Sequence, residues 1–224
     1  MTFSIAARSA DGGMFGVAIA SSSPAVAARC AHARAGIGAA ASQNITDPRL
    51  GTALLEALAR GLDAGAALAE VLRGTPFGAY RQLLVVGHTG PPAVYSGAHA
   101  LGIVGSAVGV DCAAAGNLLA RADIPTLMIA AFEACGGHFG ACLLEALRAG
   151  AEGGGEAGPV HSAGLLVVRD VAWPIVDLRV DWTEEDPVAA LAVLWRIFAP
   201  QIDDYVARAT NPAHAPSFGV AGDR

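Results

Sequence analysis

The chain has 224 residues, 54% of them hydrophobic and only 15% charged, with a formal net charge of -6. This is too apolar for a disordered chain and ample for a buried core. The fourteen basic residues are dispersed and all are arginine, which leaves no footprint for nucleic acid and excludes Schiff-base lysines, lysine general bases and phosphate-loop lysines.

Thr2–Arg8 alternates and predicts a strand, Ser9–Gly13 carries turn chemistry, and Met14–Ser21 predicts its hairpin partner. Gly36–Gln43 reads as a further strand of small residues. Asp47-Pro48 supplies a helix cap and first turn, and Leu50, Leu54, Leu55, Leu58 and Leu62 follow at helical spacing. Asp63 opens a second short helix that ends near Gly74-Thr75-Pro76. Strands are expected at Tyr80–His88, Ala93–Ser96, Ile103–Asp111 and Cys112–Leu118, then helices at Ile124–Cys135 and His138–Ala149. Gly150–Pro159 reads as a glycine-rich loop. Ser162–Val168 and Trp173–Asp181 predict strands, and one last helix is expected from Asp186 to Ala207, ahead of a loose tail after Asn211.

Hairpins separated by helix pairs are not the alternation of a parallel doubly wound sheet. They predict an α+β fold: a four-layer αββα sandwich of two mainly antiparallel sheets with helices outside. One domain is expected over residues 1–210, with 211–224 as tail. No apolar run is long enough to span a bilayer, and no charged leader precedes an apolar stretch. A cytoplasmic protein is therefore expected, with Cys30, Cys112, Cys135 and Cys142 reduced. Oligomeric state is left open by the sequence, and a low-charge surface with Trp182 and Trp195, expected to be exposed, leaves room for a homodimer.

No metal site is expected, because the six histidines lie far apart and no metal-ligand spacing occurs. A G-x-S-x-G elbow is absent. Gly102, Gly105 and Gly109 lack the dinucleotide fingerprint, so no cofactor is expected. What remains is the second residue. Methionine aminopeptidase removes Met1 before a small side chain, which would leave Thr2 first. Its hydroxyl is a nucleophile, and its α-amine, with an ordinary pKa of about 8, is a base on the same skeleton.

The opening "TFSIAARSADGGMFGVAIASSSPAVAARCAHARAGIGAAASQNITDPRLG" resembles the bacterial domain of unknown function 1028 family. The similarity rests on Thr2–Arg8, Gly16–Ala18 with Ser21, Ala35–Ala39 and Gln43. It continues in Tyr80-Arg81-Gln82, "AAGNLL" at Ala114–Leu119, "HSAGLLVV" at His161–Val168 and "VDLRVDWTEEDPVAAL" at Val176–Leu191. Two positions depart: Ala115 and His161 stand where the family has glutamine. The resemblance implies an N-terminal nucleophile hydrolase fold.

On that basis the expected activity is cleavage of a small linear amide or ureido substrate through an acyl-enzyme on Thr2, at the mouth of a cleft between the sheets. Asn117 is the first oxyanion candidate, followed by Gln43 and Asn44. Arg81 is expected to bind a substrate carboxylate, with an ion pair to Asp111 as its structural alternative. Ser21, Asp111 and His161 complete the expected substrate-binding set. A small molecule is the expected partner, with neither nucleic acid nor membrane. Two other readings stand beside this one: an inactive N-terminal nucleophile fold used as a binding or regulatory module, and a hydrolase using Cys112 or Ser106.

Overall fold

The computed structural model describes residues 2–220. It is α+β, with two sheets whose paired strands are all antiparallel. The strands are β1 (Thr2–Arg8), β2 (Phe15–Ser21), β3 (Ala31–Arg34), β4 (Gly38–Asn44), β5 (Arg81–Gly87), β6 (Ala93–Ser96), β7 (Gly105–Val108), β8 (Cys112–Asn117), β9 (Ser162–Val168) and β10 (Val176–Val180). The helices are α1 (Val26–Cys30), α2 (Pro48–Ala59), α3 (Ala64–Arg73), α4 (Ile124–Ala134), α5 (Phe139–Glu152), α6 (Pro187–Phe198) and α7 (Ile202–Thr210). The six-stranded sheet runs β10-β9-β2-β1-β8-β7 and the four-stranded sheet β3-β4-β5-β6.

Alternation along β1 divides the core. Phe3, Ile5 and Ala7 face one way and pack with Met128, Leu143, Leu147 and Leu191 from the helices over the large sheet. Ala6 faces the other way, where Val17, Ile19 and Ala113 meet Ala39, Ala41, Leu84 and Val86 of the small sheet. Leu54, Leu58 and Leu68 of α2 and α3 cover the far face of the small sheet through Leu83 and Val85. Both sheets are thus buried on two faces, which requires near-continuous apolar strands of small residues. Small size has a packing reason at Gly164, where an added Cβ would overlap the Cβ of Ala27 on α1.

Several boundaries follow local chemistry. Ser9 and Asp11 close the β1–β2 turn, with Gly12 at φ 70°. Asp47 and Asp63 cap α2 and α3 by accepting backbone N–H groups. Asp186 caps α6 by accepting from the N–H of Val188 at 2.8 Å and of Ala189 at 3.1 Å, with Pro187 in the first turn. Asp186→Ala is expected to cost about 1 kcal/mol. Thermal melting should register this as a fall of about 2–4 °C.

The structure differs from the sequence expectations at several places. Val26–Arg34, for which no element is expected, forms α1 and edge strand β3. The last helix is two helices, because Pro200 has no N–H to continue the ladder and Ala199–Gln201 tightens into a 3-10 turn. Arg208 lies 3.8 Å from the centre of the ring of Phe218, within the expected tail, and donates to the Pro216 and Ser217 carbonyls. Cys135 and Cys142 are joined in a disulfide across the α4–α5 connection, so only Cys30 and Cys112 are free. Trp195 is buried in the helical layer against His138, whereas Trp182 is exposed as expected. Among the described residues no helix is long and apolar enough to cross a membrane.

Candidate functional site

One end of the space between the sheets is polar. In the large sheet Thr2 pairs with Asn117, and Ser21 pairs with Ser162 on the far side of β1. The β1–β2 register places Phe3 opposite Ala20, so Thr2 and Ser21 are the next neighbours. Ser162, Ser21, Thr2 and Asn117 therefore form a row across four adjacent strands. All but Thr2 are fully buried, and Thr2 is 4% exposed. The Thr2 hydroxyl donates to Ser21 Oγ at 3.4 Å.

The small sheet answers with two buried amides. Gln43 and Gln82 are register partners and point inward, as Ala41 and Leu84 do one repeat further along. Gln43 Oε1 accepts from Ser4 Oγ at 2.6 Å, and its Nε2 donates to Gln82 Oε1 at 2.8 Å and to the Ala115 carbonyl at 3.2 Å. Gln82 Oε1 also accepts from Asn117 Nδ2 at 3.1 Å, while its Nε2 donates to Ser96 Oγ and the Gly116 carbonyl. The network clamps Asn117 beside Thr2, whose carbonyl lies 3.5 Å from Asn117 Nδ2. Asn117 Oδ1 is buried with no hydrogen-bond partner among the described residues.

A carboxyl group joins this end. Glu156 sits 4% exposed in the glycine-rich loop after α5, and its Oε1 accepts the Ser22 N–H at 3.0 Å. Its Oε2 is buried with no partner among the described residues. Burial pushes this carboxyl above its ordinary pKa, against the lowering effect of the Ser22 contact and nearby positive charge.

Of the residues expected from sequence, Thr2, Asn117, Gln43 and Ser21 converge here. His161 lies at the rim: its backbone N–H donates to the Ser21 carbonyl, its Nδ1 is 2.8 Å from the Thr183 carbonyl, and its ring stacks on Trp182 at 4.2 Å. Asn44 and Arg81 belong to the strand ends nearby but bond elsewhere. Asn44, at φ 72°, donates to the Tyr80 carbonyl and accepts from the Leu101 N–H. Arg81 donates to the Ile45 carbonyl. Asp111 is not part of the cluster. It pairs with Arg8 at 2.7 Å, at the opposite end of β1 and about 20 Å from Thr2 by strand length.

Gln82, Ser162, Ser96 and Glu156 were missed. Gln82 carries a readable signal, being polar in the inward register of Leu84 and Val86. Glu156 carries none, because a lone acid in a glycine loop does not reveal where the loop crosses.

Three cavities lie elsewhere. One of about 710 Å³ is lined by Arg8, Met14, Asp111, Phe132, Glu133 and Phe139 among others, one of about 600 Å³ lies between α5 and α6, and one of about 160 Å³ adjoins His88. Thr2 lines none of these three. The loop carrying Glu156 crosses this end of the sheet and helps bury it. Residue 1, whose removal the sequence reading requires, lies outside the described residues. Among the described residues no group of three or more His, Cys, Asp or Glu side chains is placed to hold a metal ion.

Cys112 is fully buried, and its thiol is pushed up to about 12 by burial and by the negative charges of Glu133 and Asp111. Thiolate reactivity is therefore suppressed at neutral pH. Iodoacetamide at pH 8 should leave Cys112 unmodified in the native protein and alkylate it after denaturation, as followed by peptide mass mapping.

Comparison with known proteins places the chain. The crystal structure of protein SPO2555 from Silicibacter pomeroyi, which carries the same family model, is similar at a TM-score of 0.81 and 29% identity, covering 95% of this chain and 91% of that one. No curated protein matches. The model of the family described as "Family of unknown function (DUF1028)" matches residues 2–191, and the chain belongs to that family.

Proposed function

We propose that this chain is an N-terminal nucleophile amidohydrolase that cleaves a small linear amide or ureido compound through an acyl-enzyme on Thr2. The observation that carries the reading is the buried polar row around Thr2. Each unpaired buried polar group costs about 1–3 kcal/mol, and the same strands are apolar one repeat further in. Local violations of core chemistry gather at functional sites. Two facing sheets with helices on their outer faces also suit the N-terminal nucleophile hydrolase sandwich.

In this reading, loss of residue 1 frees the Thr2 amine. Oγ1 attacks the carbonyl carbon as the amine takes its proton. The carbonyl π electrons move to oxygen, and that oxyanion is met by the N–H of Asn117 that now reaches only weakly to the Thr2 carbonyl. Collapse expels the nitrogen leaving group, which takes the proton from the ammonium. Water then releases the acyl group. His161 and Trp182 stand at the rim, on the Ser21 side, where the substrate's distal part would rest.

Intact mass of the cellular protein, followed by assay of an amide and ureido panel, tests the reading. Turnover confined to protein that lacks residue 1 supports it. Equal turnover by protein retaining residue 1 would remove the amine from the mechanism.

A second reading is favoured by one observation, the 710 Å³ cavity remote from Thr2. Its size suits a small ligand, so a binding module without catalysis would use that end. Ligand binding there would be indifferent to Thr2→Ala.

A further inference from the structure

We propose that Glu156 is the positioning residue for the Thr2 α-amine, its Oε2 accepting an amine N–H once residue 1 is gone. The assignment rests on the reading of Thr2 as the first residue of the working protein. Its geometric basis is the path of the loop. Glu156 forms an antiparallel bridge with Leu119, flanked by the Ala120 N–H on the Gly155 carbonyl and the Ala157 N–H on the Leu118 carbonyl. The loop is thus fastened just beyond Asn117, at the exit of β8. The side chain reaches the other way, to the Ser22 N–H just beyond the end of β2. In the sheet β1 lies between β8 and β2, and neighbouring strands are about 4.8 Å apart. A side chain that spans from one to the other crosses the start of β1, in line with Thr2.

The loop is shaped for this crossing. Gly154 and Gly155 have φ of 115° and 56°, backbone that L side chains rarely adopt, and a Cβ on Gly155 would come within 3.3 Å of the Phe3 ring. One carboxylate oxygen is satisfied by Ser22, and the other is buried and unpartnered among the described residues. A buried oxygen left so is costly unless a donor arrives, and an amine at the head of β1 is such a donor. Within the buried pair the amine and carboxyl share their protons. The carboxylate holds the amine beside Oγ1 and stabilises the ammonium formed when Oγ1 gives up its proton. His161 is the other side chain whose charge bears on Glu156, and it faces Glu184 at 3.7 Å. Arg121, past Ala120, is tied to Asp123.

The test measures the α-amine midpoint in protein prepared to begin at Thr2, by the pH dependence of trace acetic anhydride labelling. Glu156→Gln keeps an acceptor for Ser22 and removes the charge. Its amine midpoint should fall by at least about one pH unit, a tenfold change in protonation. Glu156→Asp should restore most of the shift, and it alone, compared with wild type, should show a smaller fall if the Gln variant does not fold. An unchanged midpoint in every folded variant overturns the assignment. Acylation of Thr2 by a β-lactone, measured in the same samples, reports on the nucleophile separately. A Glu156-dependent midpoint without acylation keeps this assignment and removes the catalytic reading, while acylation with an unchanged midpoint does the reverse.

Discussion

Thr2→Ala should lower amide turnover by at least about 10⁴-fold, the scale seen when a nucleophile acting with its base is deleted. The fold should barely notice. Among the described residues the Thr2 hydroxyl reaches Ser21 at a long 3.4 Å, and removing a single hydroxyl should cost about 1 kcal/mol. Thr2→Ser keeps a hydroxyl on the same carbon skeleton and should retain measurable turnover. Kinetics and thermal melting on the three proteins check both parts. A variant that melts normally and turns over normally would leave Thr2 a strand residue and nothing more.

The second large effect is structural. Gln82 makes four hydrogen bonds in a fully buried setting, to Gln43, Asn117, Ser96 and the Gly116 carbonyl. Gln82→Leu fills similar volume but strands those partners. Gln43 Nε2 keeps the Ala115 carbonyl, whereas Asn117 Nδ2 is left with only its 3.5 Å contact to Thr2. We expect a loss of about 3 kcal/mol and a fall in melting temperature of about 6–12 °C. Gln82→Glu retains the acceptors and should cost less at a pH low enough to protonate it. Denaturant melts decide the matter: a neutral Gln82→Leu would show that the amide network adds nothing to the joining of the sheets.

Much of this architecture was legible because local chemistry set it. The leucine spacing after Asp47-Pro48 and the turn residues Ser9–Gly13 act within one element, and the structure has a helix and a hairpin turn there. Convergence of Thr2, Asn117, Gln43 and Ser21 is less local, since it needs three strands of one sheet to face one strand of another. It was approached through Thr2 and the resemblance rather than from pattern alone. Glu156 was invisible because its position depends on where a glycine loop crosses a sheet end. The Cys135–Cys142 bridge was missed for a similar reason: seven residues of separation do not say that the α4–α5 connection folds back. Asp111 was misplaced because its carboxylate and the Thr2 hydroxyl sit at opposite ends of one strand pair, a distinction that only register makes.

The most direct measurement is peptide mapping by mass spectrometry of protein quenched during reaction with an acylating substrate. The account predicts an acyl group on the Thr2 hydroxyl of a peptide that begins at residue 2, absent in Thr2→Ala. An acyl group on any other side chain, or steady turnover by Thr2→Ala, would contradict it.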